Sequence, residues 1–108
     1  MIRLDPNELK ARFNANFETG QLYHYDWAPV KTWDNGHGYR AFRLDPWPST
    51  KMVLVHRVMV VLYWGYDIAP GWVVDHIDHN RANNAISNLQ VMTKQQNNMK
   101  KKPYLKNG

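Results

Sequence analysis

Trp72-Val73-Val74 is an apolar run that stops on an adjacent carboxylate and imidazole, Asp75-His76, and gives way to a polar, Asn-rich stretch reaching Asn88 and Asn97. In an extended backbone successive side chains leave on opposite faces. Asp75 and His76 can therefore share one reaction centre only if the strand ends or bends at the pair. In that geometry the chemistry divides: a carboxylate suits a hard cation, while an imidazole with an ordinary pKa near ~6.5 can take a proton from water. General-base help of that kind is worth on the order of 10²–10⁴ in rate. The carboxamide of Asn88 can fix an imidazole's orientation and tautomer, and that of Asn97 offers a carbonyl oxygen as a second ligand. Together these residues are the material of a divalent-metal phosphodiesterase site. Taken singly, Asn88 is as well explained as a turn or cap residue. Asn98 competes with Asn97, because neighbours on a helix point about 100° apart and only one can face a site.

Composition narrows the setting. Cysteine is absent, which removes disulfides and thiolate zinc sites and leaves any metal to nitrogen and oxygen donors. With 44% apolar residues in a 108-residue chain, a globular single domain with a modest core is expected, not a disordered one. No apolar stretch of about 18 residues and no charged-then-apolar leader occurs, so neither a membrane span nor a secretory signal is expected and a cytoplasmic location is.

The net charge of +5 is unevenly placed. Residues 1–78 carry eight Lys and Arg against nine Asp and Glu, whereas residues 79–108 carry six basic residues and no acid. A localised basic patch attracts phosphates without regard to sequence. A solvated tail explains a Lys-rich terminus equally well by itself; beside phosphodiesterase material, nucleic acid is the favoured partner, with Arg81, Lys94, Lys100, Lys101 and Lys102 as its contacts.

Local signals order the rest of the chain. Asp5-Pro6-Asn7-Glu8 reads as a helix start, with Leu9 and Phe13 on one face and an end before the Glu18-Thr19-Gly20 turn. Gln21–Tyr25, Tyr39–Leu44 and Lys51–Val55 read as strands of one small antiparallel sheet, interrupted by the Asp34-Asn35-Gly36-His37-Gly38 turn cluster and the Pro46-Trp47-Pro48-Ser49 break. On that sheet Arg40 and Arg43, with Tyr39 and Trp47, could lie against DNA, although a merely wet face is the commoner role. His56–Trp64 is the most hydrophobic run, and length alone does not separate a buried strand from a helix. Its Gly65 suits a helix C-cap. His56 reads as structural, hydrogen-bonded at the start of that run, and Arg57 as a phosphate contact or a surface ion pair. Asn83 and Asn84 read as ordinary loop residues. Thr93 can cap a following helix, and Pro103 should end it, leaving a basic tail.

The polar positions Asp75-His76, Asn88 within Ile86-Ser87-Asn88-Leu89, and Asn97 within Gln95-Gln96-Asn97-Asn98 resemble the HNH endonucleases, in the phage and intron homing branch whose third signature residue is Asn. The likeness extends through His56-Arg57-Val58, Asp75-His76-Ile77-Asp78, Asn80-Arg81, Asn83-Asn84 and the opening Phe17 to Tyr23, and covers about residues 13 to 98.

This resemblance implies an α+β fold: a small antiparallel sheet with packing helices over residues 1–70, His56–Trp64 being a helix, then a ββα-metal motif over 71–99 and a basic tail over 100–108. It implies strands ending at Asp75-His76 and spanning Leu89–Thr93, with a helix from about Lys94 carrying Asn97. On that pattern Asp75 and Asn97 bind one Mg²⁺ or Mn²⁺, His76 activates water, and Asn88 orients His76 or its backbone. A zinc-ribbon variant is excluded by the missing cysteines. His79 stands where the family usually has Gly, and is not expected to hold the ion. The implied activity is hydrolysis of DNA phosphodiesters to 5′-phosphate and 3′-hydroxyl ends. One site per chain implies nicking by a monomer, with a homodimer needed to cut both strands. The alternatives are a non-catalytic DNA-binding protein on the same scaffold and a metal-dependent ribonuclease. The likeness points to a phage-encoded protein acting in a bacterial host.

Overall fold

The computed structural model describes residues 3–45, 49 and 51–100. Pro46, Trp47, Pro48, Lys101, Lys102 and Pro103, to which the sequence assigns a chain break, DNA contacts and a helix stop, lie outside the described residues. The fold is α+β, with three helices among the described residues and every strand pair antiparallel.

Helix α1 spans Pro6–Arg12, and its start is as the sequence reads: the Asp5 carboxylate accepts from the Asn7 N–H and Pro6 occupies the first turn. The helix stops at Phe13, whose backbone is extended (φ −133°, ψ 148°). Leu9 and Phe13 are both buried, but Phe13 enters the core as the first residue of a strand, not from a helix face. Strand β1 (Phe13–Asn16) pairs with β2 (Gln21–His24) as a two-stranded hairpin. Asn16 builds its turn, its Oδ1 accepting from the Glu18 and Thr19 N–H groups and its carbonyl from Gly20, which sits at φ +79°.

The expected single sheet is thus corrected. Gln21–His24 joins the unforeseen β1, because α1 delivers Phe13 to the core already extended and the four-residue Asn16 turn closes the pair locally. A second sheet comprises β3 (Trp33–Asp34), β4 (Arg40–Arg43) and β5 (Met52–Leu54). Ala41 and Phe42 are successive residues, each 1% exposed; successive side chains face opposite ways, so β4 is covered on both faces.

Helix α2 (Val55–Trp64) follows β5 directly, one residue earlier than the sequence suggests, and Gly65 ends it in the left-handed conformation (φ 82°) with its N–H bonded to the Val61 carbonyl. Val58, Met59 and Val61 are fully buried and gather Leu4, Leu9, Phe13, Leu22, Phe42 and Val53 into one cluster. Each such side chain contributes about 1.5–3 kcal/mol through its removal from water. Arg57, largely buried, pairs with Asp67 at 3.0 Å, in keeping with the ion-pair reading. Burial alone would raise the Asp67 pKa, but bonds from the Leu4 N–H, Arg57 and the Ile68 N–H hold it below the ordinary carboxylate value.

The last unit comprises β6 (Trp72–His76), a 3₁₀ turn at Ile86–Asn88, β7 (Leu89–Thr93) and α3 (Lys94–Lys100). β6 and β7 pair with Asp75 opposite Gln90 and His76 opposite Leu89. A reciprocal capping box starts α3: the Thr93 hydroxyl accepts from the Gln96 N–H and the Gln96 side chain accepts from the Thr93 N–H. Two otherwise orphaned donors are satisfied in this way.

Candidate active site

Asp75 and His76 are the last two residues of β6, and both are buried. They avoid the opposite-face problem because the strand ends at the pair. The Ile77 N–H bonds to the Asn88 carbonyl, the His79 N–H bonds back to the His76 carbonyl, and His79 adopts φ 63°. The chain therefore folds over immediately after His76. A small open pocket of about 160 Å³ results, lined by Tyr39, Asp75, His76, His79, Arg81 and Asn97.

Asp75 is backed from across the ladder, where Gln90 Nε2 donates to its Oδ2 at 2.9 Å. Directly opposed residues on one sheet face are close enough for such a contact. Asn97 comes from the inner side of α3, and its Oδ1 is buried without a hydrogen-bond partner among the described residues. Asn98 is exposed, so the helix presents Asn97 to the pocket. A buried unsatisfied acceptor is unfavourable by about 1–3 kcal/mol, and an oxygen-seeking cation is one partner that would satisfy it. No group of three or more His, Cys, Asp or Glu is arranged to hold a metal ion among the described residues. One carboxylate and one carboxamide oxygen suit an ion that keeps water and substrate phosphate in its remaining positions, as Mg²⁺ does.

The carboxamide that meets the His76 ring is that of Asn84: Nε2 and Asn84 Oδ1 are 2.9 Å apart, with both residues buried. This corrects the reading of Asn84 and leaves Asn88 with the backbone alternative of its expected role. Asn84 is not an ordinary loop residue. Asn88 has its side chain fully engaged elsewhere, accepting from the Asp78 N–H and donating to the Asp78 carboxylate and the Asn83 carbonyl. Asn88 therefore ties the two ends of the loop together and acts on the backbone beyond His76, while ring contact falls to Asn84. Bonds from Asn83, the Asn80 N–H and Asn88 lower the Asp78 pKa and keep this loop anchor ionised.

The ring packs against two other aromatics. His56 lies edge-on to His76 with centroids 5.0 Å apart, and Tyr39 lies 5.3 Å from His56 and 5.9 Å from His76. His56 is structural as expected, but its Nδ1 has no hydrogen bond among the described residues, so ring packing takes the place of the expected bond. Burial, then the neighbouring His76 and Arg57, lowers its pKa to about 3. His56 is a neutral wall of the site.

Among the described basic residues that the sequence assigns to nucleic acid, Arg81 alone lines the pocket. Its guanidinium lies over the Tyr39 ring at 4.7 Å, and its Nη1 donates to the His37 carbonyl. Arg40 is held to Thr32 through three hydrogen bonds. Arg43 and Lys94 are exposed, and Lys100 is the last residue of α3. Sequence reasoning missed Tyr39 and Gln90 as parts of the site as well as Asn84. The register opposite Asp75 was a usable signal for Gln90; nothing local marked the other two.

Comparison with known proteins gives three findings. The profile of the HNH endonuclease family matches residues 53–99. YosQ of Bacillus subtilis (strain 168), an SPbeta prophage-derived protein whose name assigns it to the HNH homing endonucleases, is 40% identical over 72 residues, 66% of this chain and 41% of YosQ. The solved structure of the HNH homing endonuclease I-HmuI, titled for DNA binding and cleavage, superposes with a TM-score of 0.69 and 27% identity, covering 96% of this chain and 59% of that one. The chain spans about two fifths of the curated relative's length and about three fifths of the solved structure's. No helix among the described residues is long and apolar enough to cross a membrane.

Proposed function

We propose that this chain, whose residues 53–99 match the HNH endonuclease profile, is a metal-dependent endonuclease of that family hydrolysing DNA phosphodiester bonds. The observation that carries the reading is the convergence of Asp75, His76 and Asn97 on one pocket, with the Asn97 oxygen buried and unsatisfied. Asp75 and Asn97 would hold one Mg²⁺ or Mn²⁺. The chemistry such an ion supplies when bound is charge neutralisation at the scissile phosphate and at the departing 3′ oxygen.

The chain's own residues do the rest. His76 accepts a proton from the attacking water, and the products carry 5′-phosphate and 3′-hydroxyl ends. Asn88 and Asp78 hold the loop that keeps His76 at the pocket. Arg81, held over Tyr39, meets a phosphate oxygen at the pocket, and exposed Arg43 and Lys94 add less specific attraction along the backbone. Lys100, Lys101 and Lys102 extend that basic surface in the same reading. Residues 71–99 form the catalytic module and the preceding part its scaffold. With one site per chain, a monomer nicks. A prophage-derived relative supports a phage-encoded protein working in the bacterial cytoplasm.

The test is conversion of supercoiled plasmid to open-circle and linear forms with Mg²⁺, with Mn²⁺ and with EDTA, running His76→Ala beside the parent protein. Metal-dependent nicking lost in His76→Ala is expected, with open circles preceding linear product. No conversion in either metal, with DNA still bound, would replace this reading with that of a binding protein; cleavage of RNA but not DNA would change the substrate.

A further inference from the structure

We propose that Asn84 is a positioning residue that fixes the tautomer of His76, so that the ring carries its proton on Nε2. The proposal rests on the nuclease reading for its purpose but not for its geometry. His76 Nε2 and Asn84 Oδ1 are 2.9 Å apart, and Asn84 is only 3% exposed. A carboxamide oxygen can only accept, so the nitrogen facing it must carry hydrogen, and a neutral imidazole with Nε2–H keeps its lone pair at Nδ1. A buried, satisfied polar pair of this kind holds its geometry, because breaking it strands both groups.

Three features of the fold hold Asn84 at the ring. The N-terminal hairpin turn lies against its backbone: the Ile86 N–H bonds to the Phe17 carbonyl, and Gly20 lies directly on Asn84 and Ala85. The Asn83 carbonyl, one peptide earlier, is held by Asn88, and the Asn83 side chain by Asp78. His56 and Tyr39 pack against the ring itself, limiting its rotation. The ring is therefore fixed by packing and its tautomer by Asn84.

The experiment uses the metal-free, full-length protein labelled with ¹⁵N-histidine, at a pH where the rings are neutral. The parent is expected to show a slowly exchanging His76 Nε2 proton and an unprotonated Nδ1. Asn84→Asp, which keeps an acceptor of the same shape, is expected to retain that proton. Asn84→Leu and Asn84→Ser are expected to lose it to fast exchange while the backbone amide spectrum stays folded. A parent ring protonated on Nδ1, or an Nε2 proton equally protected in both substituted chains, would overturn the proposal. On plasmid, kcat of Asn84→Leu is expected to fall at least about tenfold, within the range a general base supplies, at unchanged KM and with recovery in Asn84→Asp. If the ring signature is as expected and no variant, nor the parent, cleaves DNA, the nuclease reading fails and the tautomer assignment stands.

Discussion

Gly20 and Asn84 lie backbone to backbone: a Cβ on Gly20 would sit 2.3 Å from the Asn84 carbonyl carbon and 2.6 Å from the Ala85 nitrogen. A turn 64 positions earlier in the chain thus braces the loop that contacts His76. The N-terminal hairpin is part of the site's support.

Gly20→Ala is accordingly expected to be among the most damaging small substitutions. The left-handed backbone at φ +79° disfavours any Cβ by roughly 1–2 kcal/mol, and the contacting atoms are backbone that cannot swing aside. A loss of at least about 2 kcal/mol in urea unfolding is expected. A midpoint within error of the parent would show that the hairpin does not bear on the loop.

Gln90 sits opposite Asp75 in the ladder and donates to its carboxylate. Partners that orient a ligand typically matter by about 10–100-fold in metal affinity. Gln90→Leu is expected to weaken Mn²⁺ binding by that range in calorimetric titration, with the fold intact. Unchanged affinity would reduce Gln90 to a packing residue.

His56 links stability to acidity. Its folded-state pKa of about 3 lies below the ordinary 6.5, chiefly through burial, so the unfolded chain binds the proton more readily. The stabilisation is complete above pH 6.5 and is lost as pH falls toward 3, by on the order of a few kcal/mol. His56→Phe keeps an aromatic wall and removes the titration. Its unfolding free energy should fall less steeply across that window, and parallel pH curves would contradict the assignment.

Arg81 is held by the Tyr39 face and the His37 carbonyl at the edge of the pocket. A side chain that contacts one phosphate releases about one counterion on binding. Arg81→Gln should lower DNA affinity at low salt and reduce the slope of log K against log salt by about 1. Arg40→Gln, which loses the Thr32 contacts outside the pocket, should leave that slope unchanged.

Much of the site was legible because local rules govern it. An apolar run ending on Asp75-His76 had to stop there for both side chains to work at one centre, and β6 ends at His76. Thr93 with Gln96 is a capping box visible at three-residue spacing, and it sets the helix phase that presents Asn97 and exposes Asn98. The Gly65 stop of α2 follows from a residue that tolerates positive φ, whereas hydrophobic content alone left that run open between helix and strand. The single sheet did not survive, because strand pairing depends on where α1 releases Phe13, which no local pattern encodes.

The sequence by itself determined the residue types, the strand end at His76 and the start of α3, since these depend on side-chain alternation and on hydrogen bonds between neighbours in the chain. Only the tertiary structure decided that Asn84, not Asn88, meets the His76 ring, and that Gln90, Tyr39 and His56 complete its surroundings. An Asn-rich loop has several carboxamides of equal local merit. Which one reaches the imidazole is set by loop closure through Asp78 and Asn88 and by the pressure of the Gly20 turn, long-range contacts that choose among chemically equivalent side chains.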